Sequence, residues 1–344
     1  MVVLGGGSNV VVADRGLDAM VLRVAIRGHR HEGGLHRCGA GEPWDDVVAQ
    51  AVGVGDAGIE CLSGIPGEVG AAPMQNIGAY GQEVASTIVA VEAIRRADGI
   101  AVELDNAACG FGYRDSMFKR EGAGKYIVTA VSFQLATGGA ATVAYPELAR
   151  AAREDRDLPR PRDSVPRLRR NKSMVLTADD ENRRPAGPFY VNPTVTADEA
   201  DSVAARAAAI TDDPMPRYPS PHGVKLSAAW LIDRSGLHKG FSRGQVGLST
   251  RHTLAIVNRG GASAKDIVQF AAEVRDTVRA TFAVTLTPGP TLLGFSDDEL
   301  APLRRCAVGY FLADAFLADT FLAAFLGLAA ATGVDAAWAA GAVR

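Results

Sequence analysis

The sequence predicts an α+β fold made of more than one domain. Short runs rich in valine and isoleucine, bounded by glycine, aspartate or asparagine, alternate with turns over the first 135 residues. Segments with the helical spacing of apolar residues lie among these runs, without the regular strand–helix–strand rhythm of a parallel sheet. A length of 344 residues, of which 47% are apolar and 22% charged, is sufficient for two or three domains with sizeable cores.

Six runs predict the strands of a first domain, which we assign to residues 1–137. In chain order they are MVVL, NVVVA, AMVLRVAI, STIVAVEAIRR, IAVEL and KYIVTAVSFQL. Between the third and fourth runs, residues 43–54 predict a helix, because Trp44, Val47 and Ala51 lie on one face. Residues 138–171 begin with two glycines and become rich in charge and proline, so we assign them to a linker.

Residues 172–294 form the predicted C-terminal domain. Helices are expected at 197–210, 226–235 and 263–280, and the last of these has the sequence of a capping box at its start. A strand is expected in the run FAVTLTPGPTLLGF. The domain is therefore expected to mix helices with short strands.

Residues 295–344 differ in character from the rest of the chain. The unit Phe-Leu-Ala-Asp repeats there with a period of five residues, which fits neither a helix nor a strand. We assign this segment to an apolar low-complexity tail. A low-complexity extension is favoured over a helix that binds a protein partner or a membrane surface, and both alternatives stay open.

The composition narrows the class of protein. A net charge of −3 argues against nucleic-acid binding, which needs a basic excess. The longest apolar run, at 320–334, is shorter than the roughly 20 residues of a membrane span, and the N-terminus has no signal-peptide pattern. Four scattered cysteines without a paired spacing indicate reduced thiols. We therefore expect a cytoplasmic protein without a membrane span.

The stretch LGGGSNVVVAD suggests a phosphate site. Gly5, Gly6 and Gly7 follow a predicted strand and precede Ser8 and Asn9; we call residues 5–9 glycine loop 1. Glycine allows backbone N–H groups to crowd around a phosphate, because it adopts positive φ and permits close approach. The alternative is a simple tight turn. The stretch lacks the GxGxxG pattern of the dinucleotide-binding fold.

A second glycine-rich stretch is the stronger signal. Residues 63–83, SGIPGEVGAAPMQNIGAYGQE, contain little side-chain bulk; we call them glycine loop 2. A segment of this kind is expected to place its backbone against a large, flat and polar ligand. A cofactor with a pyrophosphate and an extended ring system fits this description, and long loops in compact domains are usually functional.

The third stretch, CGFGYRDSMFK, places Arg114 between aromatic and acidic residues. A guanidinium held in this way presents a fixed fork of donors to a carboxylate or a pyrophosphate. The alternative is a structural arginine that pairs with Asp115, and both interpretations stay open.

These three stretches, in this order, resemble the UDP-N-acetylenolpyruvoylglucosamine reductases of peptidoglycan synthesis. The resemblance continues through VAYPEL, RRNKSMVL, GPFYVNP, GVKLSAAWLIDRSGLHKG, LSTRHTLAIVN and FAVTLTPGP, and covers roughly residues 1–294. It implies FAD-binding subdomains of the vanillyl-alcohol-oxidase/PCMH type and a C-terminal α+β substrate-binding domain. The two glycine loops would hold the FAD pyrophosphate and flank its ring. The implied cofactor-binding residues are Gly5, Gly6, Gly7, Ser8, Asn9, Gly64, Pro66, Gly67, Gly70, Ala71, Pro73, Asn76 and Gly78.

The resemblance also implies a reaction. Members of this family pass a hydride from NADPH to FAD, and then to the enolpyruvyl group of UDP-N-acetylglucosamine enolpyruvate, which gives UDP-N-acetylmuramate. Arg114 matches the catalytic arginine that polarises the carboxylate of the substrate. Tyr145, Lys172 and Asn192 match residues that contact the diphosphate of the UDP-sugar or a cofactor phosphate.

Two positions depart from the pattern of this family. Its proton-donating serine matches Pro188, and its glutamate near the substrate carboxylate matches Gly289. Neither residue can donate a proton or polarise a carboxylate, so we expect slow or absent reduction. Nearby hydroxyls that are candidate substitutes belong to Tyr190, Ser116 and Ser249. The family also has about fifty residues before glycine loop 1, near which this sequence begins.

Three interpretations follow from these departures. The chain is a reductase of this family with impaired activity, or a divergent paralogue with changed chemistry. The third interpretation is a catalytically inactive protein that binds a flavin or a sugar nucleotide and uses the C-terminal tail to bind a protein partner.

Overall fold

The structure, a computed structural model, describes residues 1–139, 161–172 and 179–304. These residues form two units that each have a hydrophobic core of their own. Helices combine with mainly antiparallel sheets, which confirms the predicted α+β class. No helix in the described part of the chain has both the length and the apolar character that a bilayer span needs.

The first unit is centred on a five-stranded antiparallel sheet. Its strands are β1 (Val2–Leu4), β2 (Val10–Val12), β3 (Val21–Arg23), β4 (His29–Glu32), β5 (Leu35–Gly39), β6 (Asp56–Ala57), β7 (Gly78–Ala79), β8 (Gln82–Glu83), β9 (Ile88–Arg95), β10 (Ala101–Asp105), β11 (Tyr126–Gln134) and β12 (Ala136–Thr137), and its helices are α1 (Trp44–Gly53) and α2 (Asn106–Cys109). The central sheet has the order β10, β9, β11, β5, β4.

Helix α1 covers this sheet and confirms the helix predicted at 43–54. The side chains of Trp44, Val47 and Ala51 are fully buried, as their helical spacing indicates. The Trp44 ring meets that of Phe133 edge to face at 5.7 Å, and its Nε1 donates to the carbonyl of Leu62 at 3.0 Å. Helix α1 therefore ties the sheet to the chain that leads into glycine loop 2.

The second unit carries the longest helix. Helix α3 (Pro161–Asn171) leads into it along the chain, and its elements are β13 (Thr194–Val195), α4 (Ala197–Ala208), β14 (Arg217–Ser220), β15 (Gly223–Leu226), α5 (Ala228–Arg234), β16 (Ser242–Arg243), β17 (Val246–Leu248), β18 (Ile256–Asn258), α6 (Ala264–Phe282), β19 (Thr291–Leu293) and α7 (Asp297–Arg304). Helices α4, α5 and α6 confirm those expected at 197–210, 226–235 and 263–280.

The capping box predicted at the start of α6 is present. Ser263 Oγ accepts from the N–H of Asp266 at 3.1 Å, and the Asp266 carboxylate accepts from the N–H of Ser263 at 2.9 Å. These reciprocal bonds satisfy two of the free donors at the helix start. The Ser263 hydroxyl, which donates to the Asp266 carboxylate at 2.7 Å, and then the Ser263 N–H hold the pKa of Asp266 below its ordinary value.

Three sequence assignments need correction. Part of the predicted linker, 161–171, is helix α3, which packs Val165 against Cys61 of the first unit. The predicted tail does not begin at residue 295, because α7 buries Leu300 and Leu303 in the core of the second unit. The strand expected in FAVTLTPGPTLLGF is reduced to β19, since Phe282 ends the preceding helix.

Strand β2 connects the two units. It pairs in parallel with β19, which lies about 280 residues later, in a register that places Val11 opposite Leu292. Val11 and Ala13 are buried in the core of the second unit, although they belong to the first domain by sequence. Glycine loop 1 is therefore held between β1 of the first unit and a strand that packs on the second.

The described cysteines are buried and carry free thiols. Burial raises the pKa of Cys38 and of Cys61 to about 12, and that of Cys109 to about 11. These thiols are protonated at neutral pH. Cys306 lies outside the described residues.

Candidate functional site

The two glycine loops meet backbone to backbone. A Cβ atom on Gly6 would lie 3.4 Å from the Cα of Gly67, so the two backbones approach to within van der Waals contact of one added carbon. Ser8 Oγ donates to the carbonyl of Pro66 at 3.1 Å, and Asn9 Nδ2 donates to Gln75 Oε1 at 3.1 Å. Loop 1 thus crosses loop 2 and is fixed to it at two points.

A cavity of about 410 Å³ opens between the loops; we call it the glycine-loop cavity. Five of the predicted cofactor-binding residues line it together. They are Gly6, Gly7, Ser8, Pro66 and Gly67. The remaining lining residues are Arg23, Arg27, Pro43, Glu68, Arg183 and Pro185.

Three arginines give this cavity its positive charge, and sequence reasoning missed all of them. Arg23 pairs with Glu68 at 3.1 Å, and Arg27 pairs with Glu42 at 3.4 Å. The side chain of Arg183, from the second unit, has no hydrogen-bond or ion-pair partner within the described ranges. Arg183 is therefore the guanidinium in this cavity that is available to an anion.

Replacing Gly67 by alanine is expected to lower the free energy of unfolding by about 2 to 4 kcal/mol. Gly67 has a φ of +116°, and a Cβ atom there would lie 2.8 Å from Ser8 Oγ, so strain and overpacking combine. Urea denaturation measures this loss. Gly99→Ala is the matched control, because its φ is +73° with no atom near the added Cβ, and about 1 kcal/mol is expected there. Equal losses in both variants would contradict the close contact between the loops.

Other predicted cofactor-binding residues hold glycine loop 2 in shape. Gly64 donates its N–H to the carboxylate of Asp45 at 2.7 Å, and Gly70 is packed so closely on Ala40 that a Cβ would lie 2.7 Å from that methyl group. Pro73 is buried, whereas Ala71 is exposed beside Gly5. Gly64 thus holds the loop through a hydrogen bond, and Gly70 and Pro73 hold it through packing.

Asn76 is a buried structural residue of the same loop. It has a φ of +43°, and its amide donates to Glu83 Oε2 at 2.8 Å and to the carbonyl of Gly112 at 2.9 Å. Its Oδ1 accepts from the N–H of Ala85 at 3.0 Å. These contacts fasten the β7–β8 hairpin to the segment that carries Arg114.

Arg114 faces glycine loop 2. It donates from Nη1 to the carbonyl of Asn76 at 3.4 Å and from Nη2 to the carbonyl of Gly78. Its own carbonyl accepts from Lys119 Nζ at 3.1 Å, which helps to hold a backbone with a φ of +54°. The pairing with Asp115 that the sequence left open is not formed, because Arg120 occupies that carboxylate.

Further cations surround two tyrosine rings near Arg114. Lys225 Nζ lies 4.4 Å from the centroid of the Tyr113 ring, which Arg114 also approaches at 5.7 Å. Lys172 Nζ lies 5.7 Å from the centroid of the Tyr80 ring. The motif that contains Lys225 was recognised in the sequence, but this lysine was not singled out.

Helix α3 adds Arg169 to the same region. Burial is the main reason that the pKa of Arg169 lies below its ordinary value, and the charge of Arg114 lowers it further. The two guanidiniums are thus close enough to interact, and with Lys172 and Lys225 they form a positively charged region; we call these four residues the cationic cluster.

The two other predicted substrate contacts, Asn192 and Tyr145, stay predictions. The Oδ1 atom of Asn192 accepts from the N–H of Ala228 at 2.9 Å, at the start of helix α5. It therefore satisfies a free donor of that helix. Tyr145 lies outside the described residues.

Pro188 and Gly289, the two departures from the family pattern, are neighbours in space. Gly289 donates its N–H to the carbonyl of Phe189 at 2.9 Å, and a Cβ on Gly289 would lie 3.4 Å from the carbonyl oxygen of Pro188. Asn9 Nδ2 donates to the carbonyl of Gly289 at 3.1 Å. Both positions therefore adjoin glycine loop 1.

Two of the three candidate substitute hydroxyls donate their proton to backbone carbonyls. Tyr190 is buried, its hydroxyl donates to the carbonyl of Ala271 on α6, and burial raises its pKa. Ser116 Oγ donates to the carbonyl of Met74 at 2.6 Å, and Ser249 Oγ accepts from the N–H of Arg251 at 3.1 Å. The protons of Tyr190 and Ser116 are therefore engaged in these bonds, whereas Ser249 only accepts in its bond.

Comparison with known protein families identifies two matching regions. The model of an FAD binding domain matches residues 1–105, and the model of the C-terminal domain of UDP-N-acetylenolpyruvoylglucosamine reductase matches residues 179–293. The first match contains both glycine loops and the second contains Pro188 and Gly289.

Similar proteins cover most of the chain. The UDP-N-acetylenolpyruvoylglucosamine reductase of Streptomyces coelicolor is 45% identical over 305 residues, which cover 86% of this chain and 79% of that protein. The enzyme of that name from Thermobifida fusca is 43% identical over 307 residues, with 86% of each chain covered. A crystal structure of the reductase from Thermus caldophilus has a TM-score of 0.57 at 28% identity, over 85% of this chain and 84% of that one.

Proposed function

Because the chain belongs to the UDP-N-acetylenolpyruvoylglucosamine reductase family, we propose that it binds FAD in the glycine-loop cavity and uses NADPH to reduce an enolpyruvyl sugar nucleotide. The substrate is UDP-N-acetylglucosamine enolpyruvate and the product is UDP-N-acetylmuramate, a precursor of peptidoglycan. Both substrate and NADPH are soluble nucleotides, so we place the reaction in the cytoplasm.

The single observation that carries this proposal is that both glycine loops are walls of one cavity. Gly6 and Gly67 leave no side chain between the backbones, and Arg183 offers an available guanidinium, as a pyrophosphate requires. FAD, when bound, supplies the hydride that it takes from NADPH. The cavity residues hold and orient this cofactor.

Arg114 is proposed to polarise the carboxylate of the substrate. A guanidinium has five N–H donors, and two donor atoms of Arg114 are directed at the carbonyls of Asn76 and Gly78. The remaining donors are held in a fixed orientation by these bonds. Such preorganised positive charge stabilises the enolate character that develops when hydride reaches the β-carbon.

The cationic cluster is proposed to bind the diphosphate of the UDP-sugar. Lys172 and Lys225 reach the region of Arg114 from the second unit, and Arg169 is held there by α3. A diphosphate carries negative charge that several ammonium and guanidinium groups offset together. The role of Tyr145 in this contact remains a prediction.

The proton step is proposed to be impaired. Delivery of a proton to the α-carbon needs a donor beside glycine loop 1, and Pro188 and Gly289 occupy the two matching positions. Removal of one such group costs on the order of 10² to 10⁴ in rate. A flavin- or sugar-nucleotide-binding protein without turnover is the second candidate function, because both positions are replaced together.

The visible spectrum of the purified full-length protein tests the binding part of this proposal. After FAD is added, we expect the protein to retain flavin absorption through gel filtration. This absorption should be lost when NADPH is added without oxygen. Glu92→Gln, on the exposed face of β9, is the matched control and should behave like the unmodified chain. A folded protein that retains no FAD after gel filtration would contradict the proposal.

A further inference from the structure

Glu68 places a buried carboxylate in the wall of the glycine-loop cavity. Only 8% of its surface is exposed, and Oε1 lies 3.1 Å from Arg23 Nη2. The other oxygen, Oε2, has no hydrogen-bond partner among the described residues. This oxygen lies 3.2 Å from the position that a Cβ on Gly5 would take, so it is directed at glycine loop 1.

The backbone on both sides of Glu68 is fixed, which keeps its side chain at the cavity. Trp44 donates its N–H to the carbonyl of Gly67 at 3.0 Å, and Val69 donates its N–H to the carbonyl of Glu42 at 2.9 Å. Pro43 and Glu68 form an isolated antiparallel bridge. The backbone of Glu68 is therefore fixed beside the cavity, and its side chain starts from a set position in the wall.

A carboxylate in this position opposes an anionic ligand. A pyrophosphate between the glycine loops would approach Glu68 within the same cavity, and two negative charges at short distance repel each other. An unpaired buried carboxylate oxygen is itself unfavourable. Arg23 offsets this charge from the outer side of the cavity, since 68% of its side chain is exposed.

We propose that Glu68 weakens the binding of the cofactor's pyrophosphate, and that Arg23, which Glu68 holds at the cavity, offsets this repulsion. The inference rests on the proposed function, because it takes FAD as the ligand of the cavity. Arg183 is then the residue whose charge acts on the pyrophosphate without a competing carboxylate. The affinity for FAD thus depends on the negative charge of Glu68 and the positive charges of Arg23 and Arg183.

Fluorescence titration of the flavin-free full-length protein with FAD tests this balance. Glu68→Gln keeps the shape of the side chain and removes its charge, so we expect the Kd for FAD to fall about tenfold. Arg23→Gln leaves the carboxylate without its partner, and the Kd should rise by a similar factor. Both effects should shrink as salt is added, because screening weakens the interaction of partly exposed charges.

Glu92→Gln is the control for a loss of one negative charge in the same unit. Glu92 pairs with Arg37 on the central sheet and is not among the residues that line the cavity. The Kd of the Glu92→Gln variant for FAD should therefore equal that of the unmodified chain. The unfolding midpoint of each flavin-free variant identifies any loss of fold. Arg23→Gln tests the inference independently if Glu68→Gln does not fold.

The outcomes separate this inference from the proposed function. An unchanged or larger Kd in Glu68→Gln, with FAD still bound by the unmodified chain, overturns the inference alone. A larger Kd would instead identify Glu68 as an acceptor for a hydroxyl group of the cofactor. Absence of FAD binding in the unmodified chain and in every variant overturns the proposed function and this inference together.

Discussion

Replacing Pro188 by serine and Gly289 by glutamate in one variant should raise the rate of enolpyruvyl reduction by about 10² to 10⁴-fold. The two positions adjoin each other and glycine loop 1, so the change restores a hydroxyl donor and a carboxyl group at one place. Gly289 does not have a positive φ, and an added Cβ would meet no atom closer than 3.4 Å. The backbone therefore accepts a Cβ atom there without displacement.

Single-turnover measurement of flavin reoxidation by the enolpyruvyl substrate gives this rate. The single variants should recover less than the double variant, and their effects should not multiply, because groups that act in one step are not independent. Pro193→Ser is the matched control, since its carbonyl accepts from Leu226 in the second unit and it lies outside the cavity lining. An unchanged rate in the double variant would show that another group delivers the proton.

Replacing Arg114 by lysine should lower the rate of substrate reduction by about 10² to 10³-fold. Lysine keeps the positive charge but lacks the planar fork of five donors with which Arg114 holds the carbonyls of Asn76 and Gly78 and still faces a carboxylate. The loss is best measured in the background with both substitutions at Pro188 and Gly289, which provides a rate fast enough to compare.

The rate at which NADPH reduces the bound flavin should fall much less in Arg114→Lys than the rate of substrate reduction, because flavin reduction does not involve the substrate carboxylate. Arg120→Lys is the control on the same segment, where the guanidinium pairs with Asp115 and with the carbonyl of Gly110. Equal losses in the two variants would assign Arg114 a role in holding the loop only.

The glycine loops were predictable because their signal is local. Gly67 has a φ of +116° and lies against Ser8. A run of small residues in the sequence indicates both a backbone conformation that favours glycine and a close approach of two segments. The start of α6 was predictable for the same reason, since the capping residues lie three positions apart.

Contacts between distant segments could not be predicted in this way. Arg23 and Arg183 reach one cavity from different units, and no local pattern near either residue indicates a phosphate. Pairing of β2 with β19 joins strands at opposite ends of the described chain. Glu68 was part of a recognised stretch, but its burial and unpaired oxygen depend on the fold around it.

Motif matching gave Asn192 a ligand contact, which stays a prediction, but it did not indicate that the Oδ1 atom of Asn192 satisfies the start of α5. Helix α7 was hidden because its sequence precedes a repeat with no helical period, and its burial depends on α6. Arg275 of α6 donates to the carbonyl of Pro302 at 2.8 Å, a long-range contact that fixes this helix.

The chain is expected to accept hydride from NADPH but to pass it on slowly to the enolpyruvyl substrate. Anaerobic stopped-flow mixing of the NADPH-reduced protein with UDP-N-acetylglucosamine enolpyruvate measures hydride transfer to the substrate through the return of flavin absorption. We expect a return about 10² to 10⁴-fold slower than in the Streptomyces coelicolor relative under the same conditions. A return at the rate of that relative would contradict the assignment of Pro188 and Gly289 as lost catalytic positions.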